Sequence, residues 1–247
     1  MSEKDYRKLY RIQNSVFESL KPVLAGFYLT GGTALGRFYL NHRFSEDLDF
    51  FVNADPGFKE KHFFIGKKLS DEFSLLLEQT VVYDDFARYY VVYEDSVLKI
   101  EFINDIPYRS GIPLDSKYGL IDNPLNILSN KLTAIVGRDE PKDIFDIYML
   151  ARKYSFNWMR VFEEAKKKAI LNEIDVEQRI KSFPVELLKD VDWFLHPFDQ
   201  INLTSGIFSM ANDFILGRDN SISSDKNQTP IENAELLPNI DENNGRL

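Results

Sequence analysis

The feature that most constrains this fold is a change of pattern part-way along the 247-residue chain. Up to residue 103, runs rich in Val, Tyr and Phe read as strands at 26–30, 47–52, 79–83, 88–93 and 97–103. Such residues suit a pleated, half-buried surface, and short polar connections between the runs favour antiparallel or mixed pairing. Helical spacing is interleaved with them at 5–20 and 60–78. From Pro124 the spacing is helical only, at 125–136, 142–154, 157–169 and 176–183, with breaks at Gly137–Pro141, Ser155 and Pro184. No strand run of comparable strength follows residue 110. A mixed half followed by a helical half makes an α+β chain, here with a mixed β-sheet flanked by helices and then a helical C-terminal subdomain. The expected divisions are 1–115, 116–217 and a polar tail over 218–247. Beyond Gly217 no aromatic residue remains and Ser, Asn, Asp and Glu dominate, so the tail is expected to be disordered.

With 44% hydrophobic residues the chain can bury a sizeable core. Of the formal charge of −9, the body carries −6 and the tail −3. An acidic body argues against whole-surface binding of nucleic acid, while leaving room for a local basic groove around an RNA end. The absence of cysteine excludes disulfides and thiolate zinc sites. The three histidines, His42, His62 and His196, are too scattered for a histidine metal site. The charged N-terminus reads as no signal peptide, and no apolar run approaches the ~18 residues of a membrane span. A soluble, cytoplasmic protein without a membrane partner is expected.

Chemistry concentrates at Gly31-Gly32-Thr33 and, fourteen residues on, at Asp47-Leu48-Asp49. A Gly-Gly turn that opens a helix lets backbone N–H groups approach a phosphate without a Cβ in the way, and Thr33 is placed to cap a helix over 34–40. Aspartates at i and i+2 of a strand point to one face. Paired carboxylates beside a phosphate-binding turn suit divalent metal and phosphoryl-type transfer, and magnesium takes carboxylate and phosphate oxygens in preference to nitrogen or sulfur. Arg43 and Ser45 lie between the two motifs. On 97–103, Glu101 alternates with apolar Leu98, Ile100 and Phe102, which puts it on the polar face as a third carboxylate; the same pattern also describes a plain solvent-facing residue. Asp105 competes more weakly. Lys131 and Arg138, seven apart, share a helix face and could hold a triphosphate or simply be solvated. Asp143 and Asp146, three apart, repel unless a cation sits between them, with Lys131, Arg138 or Lys142 available. One of these aspartates serves equally well to fix Lys131 or to touch substrate.

At these residues the chain resembles the DNA-polymerase-beta-like nucleotidyltransferases and, within them, the AbiEii/AbiGii toxins of type IV toxin–antitoxin systems. Leu29-Thr-Gly-Gly-Thr-Ala-Leu35 with Arg43-Phe-Ser-Glu-Asp-Leu-Asp-Phe50 resembles the first motif of that family. Lys131-Leu-Thr-Ala-Ile-Val-Gly-Arg138 resembles its K-x-x-A-x-x-x-R helix, and Lys142-Asp143-Ile-Phe-Asp146-Ile-Tyr-Met-Leu150 its final helix. The resemblance implies a nucleotidyltransferase fold and transfer of a nucleoside monophosphate from an NTP to an acceptor hydroxyl, with release of pyrophosphate. It implies a catalytic set of Asp47, Asp49, Glu101, Lys131 and Asp143, of which Asp47, Asp49 and Glu101 would ligate two magnesium ions. Glu101 would also accept the proton of the attacking hydroxyl. Gly31, Gly32, Thr33, Arg43, Ser45, Lys131, Arg138 and Asp146 would bind nucleotide. Some members of the family modify the acceptor end of tRNA, so an RNA acceptor and translation arrest are implied, with a cognate antitoxin that need not touch the toxin. From sequence an aminoglycoside-like small molecule or a protein hydroxyl stays open as the acceptor, and so does a catalytically silent interaction module.

Overall fold

The computed structural model describes residues 6–94, 96–189, 191–197, 199–222 and 228–238. Helix α1 (Tyr6–Leu20) leads to β1 (Tyr28–Thr30), then to the short α2 (Gly31–Ala34), which widens into a π-type turn over Leu35–Leu40. Next come β2 (Leu48–Asn53), α3 (Phe58–Glu72) and the two-residue β3 (Ser74–Leu75) and β4 (Val81–Val82). The sheet is completed by β5 (Phe86–Tyr93), β6 (Ser96–Asp105), β7 (Leu114–Ser116) and β8 (Gly119–Ile121). Helices α4 (Pro124–Gly137), α5 (Pro141–Lys153), α6 (Trp158–Lys166), α7 (Glu173–Lys181) and α8 (Gln200–Ile215) make the second half. No helix among the described residues is long and apolar enough to cross a membrane.

The strand order is β3-β5-β6-β2-β1-β8-β7, with β4 beside β5. β2 runs parallel to β6 and antiparallel to β1, so the expected mixed sheet is present. Alternation divides its two faces. Leu48, Phe50 and Val52 of β2 and Leu98, Ile100 and Phe102 of β6 are buried on the side to which α1 and α3 pack. Phe50 and Phe102 stack there with ring centroids 5.3 Å apart, and Phe17 of α1 meets Phe50 edge-on at 6.1 Å. The opposite face carries Thr30, Asp49 and Glu101 in one row, because Thr30 pairs with Asp49 and Asp49 with Glu101. The next row holds Tyr28, Phe51, Ile103 and Phe86.

Three expectations need correction. The sheet runs past residue 115: β7 and β8 add to it through β8, which lies parallel to β1, and the helices begin only after Asn123 caps α4 by accepting from the Asn126 N–H at 2.9 Å. Three-residue strands carry too little alternation to be seen in a sequence; long-range pairing makes them. Thr33 does not cap a helix, since α2 already starts at Gly31 with Thr30 in the cap position. The tail is packed wherever it is described. Asn220 donates to the Tyr154 carbonyl at 3.0 Å, Ile231 is buried, and the Leu237 N–H reaches the Phe38 carbonyl at 2.8 Å. One buried isoleucine and backbone pairing with Ser155 hold a segment whose composition is polar. Residues 223–227 and 239–247 of the expected tail lie outside the described residues.

Candidate active site

The turn between β1 and α2 depends on its glycines. Gly31 has φ +70°, a region that favours glycine, and a Cβ there would meet Asp49 Oδ2 at 3.0 Å. A Cβ on Gly32 would overlap Arg43 Nη2 and stand 3.2 Å from Arg43 Cζ and 3.0 Å from Ser45 Oγ. Thr33 Oγ1 donates to the Asp47 carbonyl and so ties the turn to the start of β2. The loop between them is held from below by α1: Gln13 accepts from Arg37 Nη1 at 2.9 Å and donates to the Ser45 carbonyl at 3.0 Å. By position, the first N–H groups of α2 have no partner within the helix.

Around this turn the carboxylates gather, Asp49 and Glu101 on the open sheet face and Asp47, expected on the same strand, just before β2 begins at Leu48. Lys99 Nζ bridges two of them, 2.9 Å from Asp47 Oδ2 and 3.2 Å from Glu101 Oε2. Arg88 adds a 2.6 Å contact to Glu101 Oε1. Burial opposes ionisation of Glu101, but Arg88 and Lys99 outweigh it and hold the carboxyl below its ordinary value. Asp49 goes the other way. Burial, then the charges of Glu101 and Asp47, push it up to about 7. Among the described residues no three carboxylate or imidazole groups already stand in metal-ligating geometry. The donor set is nevertheless oxygen only, and Asp49 is short of compensating positive charge. Both properties fit a hard divalent cation.

Lys131, on α4, and Arg138, just past its end, line the same cavity. Gly137 ends the helix, and the Arg138 side chain turns back to Asp143, Nε to Oδ2 at 2.7 Å and Nη2 to Oδ1 at 3.0 Å. Lys131 Nζ sits between the two aspartates of α5, 2.6 Å from Asp143 Oδ1 and 2.7 Å from Asp146 Oδ2. Lys131 is therefore the cation those aspartates require. Lys142 turns instead towards Glu46, at 4.0 Å.

Two expected nucleotide ligands have another position. Asp146 is fully buried and receives Arg43 Nε at 2.6 Å, Arg43 Nη2 at 2.7 Å and His42 Nε2 at 2.8 Å. Burial opposes its charge, yet Arg43 and Lys131 hold its carboxyl well below the usual carboxylate range. Burial pushes the His42 imidazole down, so the neutral ring donates to Asp146. Arg43 is equally buried, with Trp193 5.8 Å from its guanidinium, and the Phe44 N–H donates to the Trp193 carbonyl at 2.8 Å. Arg43 and Asp146 thus form a strut behind the turn, joining it to the helical half. Nothing local in the sequence distinguishes a strut from a ligand; burial does.

A cavity of about 430 Å³ lies in front of this strut. It brings together Gly31, Asp49, Glu101, Lys131 and Arg138, all expected from sequence. Sequence reasoning missed its apolar floor of Phe51, Phe86 and Ile103, and it missed Asn130, Thr133 and Lys168. The floor could have been found, since Phe51 and Ile103 lie two residues on from Asp49 and Glu101 along their strands. Lys168 carries no motif and reaches the cavity only because α6 packs on α4.

Comparison with known proteins agrees with this geometry. Residues 17–105 match the family described as nucleotidyl transferase AbiEii toxin, type IV TA system. An uncharacterised protein of Aquifex aeolicus (strain VF5) is 29% identical over 191 residues, which cover 71% of this chain and 82% of that protein. The fold is that of JHP933 from Helicobacter pylori, with a TM-score of 0.54 at 24% identity, covering 87% of this chain and 94% of that one. It is also that of MenT4, a nucleotidyltransferase toxin from Mycobacterium tuberculosis, with a TM-score of 0.51 at 15% identity, covering 87% and 86%. The stretch similar to the AbiEii nucleotidyltransferases, residues 17–105, holds Gly31, Asp49 and Glu101 of the cavity.

Proposed function

We propose that the protein transfers a nucleoside monophosphate from an NTP to the hydroxyl of an RNA acceptor, the 3′ end of a tRNA, and acts as a toxin by arresting translation. The observation that carries this reading is the convergence on one cavity of a glycine turn, two carboxylates and two cations. The triphosphate lies between the turn at Gly31 and the pair Lys131 and Arg138. Lys131 contributes a point charge, fixed in place by Asp143 and Asp146, and Arg138 a planar fork. Asp47, Asp49 and Glu101 would hold two magnesium ions, which when bound neutralise charge on the reacting phosphate. Lys99, which bridges Asp47 and Glu101, would give way to that charge. The acceptor oxygen bonds to the α-phosphorus as the bond to pyrophosphate breaks, and the hydroxyl proton leaves to solvent. Glu101 stays paired with Arg88, which favours its charged form, so its part is to hold charge. Arg88 and Arg138, whose side chains are partly exposed, flank the site with positive charge suited to a polyanion.

The test is transfer of label from each α-labelled NTP to total RNA in magnesium, by the protein and by its Asp49→Ala variant. The expected result is labelled RNA and free pyrophosphate from one or more nucleotides with the wild type, and neither with the variant. Label on a small molecule or on protein alone would refute the RNA acceptor, and equal activity of the variant would refute the site.

A further inference from the structure

Lys168 is a feature of the cavity that this account of phosphate binding leaves unused. Its ammonium contacts Ser129 Oγ at 2.5 Å, Asn126 Oδ1 and Asn130 Oδ1 each at 2.6 Å, and the Asn126 carbonyl at 3.2 Å. Asn126 Oδ1 also accepts from the Ser110 N–H at 2.9 Å and the Asn126 carbonyl from Ser129 Oγ at 2.8 Å, so one N–H of Lys168 can turn to a ligand and leave these two oxygens partnered. Three residues of α4 fix the ammonium relative to Lys131. Burial lowers Lys168 to about 8, against the pull of Asp122, Asp105 and Glu164.

The position of Lys168 along the cavity defines what it can meet. Cavity-lining residues of α4 run Ile127, Asn130, Lys131, Thr133 and Ala134, a stripe at helical spacing, and Arg138 follows past the helix end. At 1.5 Å per residue, the end of α4 at Gly137 lies roughly 10 Å along the axis from Asn130, the cavity-lining anchor of Lys168, and Arg138 follows it. On the sheet, Asp105 lies about 13 Å beyond Glu101 at 3.3 Å per residue, and its charge is felt by Lys168. The cavity therefore has two ends. One holds Gly31, Asp49, Glu101 and the phosphate-binding cations. The other holds Lys168, Asn130 and Asp105, with Phe51, Phe86 and Ile103 as an apolar floor between them.

We infer that Lys168 is the residue that selects the nucleobase: with the triphosphate at the Arg138 end, the base lies over Phe51 and Ile103 and accepts an N–H from Lys168. This inference rests on the nucleotide-binding reading of the same site. The floor is sequence-tolerant, because every base has an apolar face. A directed donor is not, because bases differ in where they place carbonyl oxygens and ring nitrogens. Asn130 stands beside it to offer a second polar group.

The experiment is equilibrium binding of ATP, CTP, GTP and UTP, each with magnesium, to the full chain and to its Lys168→Met and Lys168→Arg variants, with melting curves of all three. Wild type is expected to prefer one or two nucleotides. K168M is expected to lose at least tenfold in affinity for those, with little change for the others, so that the four converge. K168R, which keeps the charge but moves the donors, is expected to keep the fold and shift the order of preference. Equal loss for all four nucleotides in both variants, or an unchanged order in both, would overturn the inference. Failure of wild type to bind any NTP would instead overturn the nucleotide-binding reading itself.

Discussion

Asp146→Asn is the sharpest probe of the strut behind the glycine turn. The substitution keeps the shape of the side chain but removes its charge and presents an NH2 group to cations. Asp146 has three partners within 2.8 Å, namely Arg43, Lys131 and His42, and it is fully buried. Removing one member of a buried ion pair leaves the other uncompensated, at a cost of about 3–5 kcal/mol. For a chain of this size each kcal/mol lowers Tm by roughly 2–4 °C, so a fall of roughly 6–20 °C is expected in thermal unfolding. The sign with pH follows from the depressed carboxyl. A lowered folded-state pKa gives stability that is fully present above the unfolded value, near ~3.9, and is lost as pH falls through the folded value. The gap between wild type and variant should therefore hold from neutral pH down to about 4 and close only in stronger acid. Arg43→Met in the variant background should recover part of the loss, because it removes the orphaned charge. A loss below about 1 kcal/mol, or a gap already closing between pH 7 and 5, would refute the assignment, since an exposed pair behaves that way.

Three further outcomes are expected. Gly32→Ala should cost about 1–3 kcal/mol in urea unfolding, because the new Cβ overlaps an Arg43 guanidinium that Asp146 holds in place; an unchanged midpoint would show that Arg43 can move. Glu164, which accepts from Ser110 Oγ at 2.6 Å and Lys167 Nζ at 2.9 Å, has its carboxyl pulled down to about 2 against the effect of burial. Glu164→Gln should thus be less stable than wild type at pH 7, with the difference vanishing as pH falls from about 4 towards 2; a difference independent of pH would contradict this. Ile231→Ala should cost about 2–4 kcal/mol if the 228–238 segment is an integral part of the fold, and nothing measurable if its docking is incidental.

Much of the site was legible because it lies in regular elements with local periodicity. Alternation put Asp49 and Glu101 on one face, and parallel pairing of β2 with β6 set them side by side. Repulsion between Asp143 and Asp146 required a cation, which Lys131 supplies, while Arg138 lies past the helix end and is brought to the same place by Asp143. What the sequence hid is tertiary. Arg43 and Asp146 sit among the motif residues, but their burial against Trp193 and His42 depends on chain segments about 150 residues apart. In helix α8, Leu203, Ile207, Met210, Ala211 and Phe214 form a buried helical stripe that the Gly, Ser, Thr and Asn content of the segment masks in the sequence. Gly206 is there because Tyr148 packs on it, a Cβ falling 2.5 Å from Tyr148 Cε2.

The central claim is that the turn at Gly31, the carboxylates of β2 and β6 and the cations of α4 form one nucleotide site. A crystal structure with a non-hydrolysable NTP analogue and manganese tests it most directly. Metal density is expected among Asp47, Asp49 and Glu101, with Lys99 displaced from that bridge and the triphosphate between Gly31 and Lys131–Arg138. Analogue bound elsewhere, or metal bound away from those three carboxylates, would contradict it.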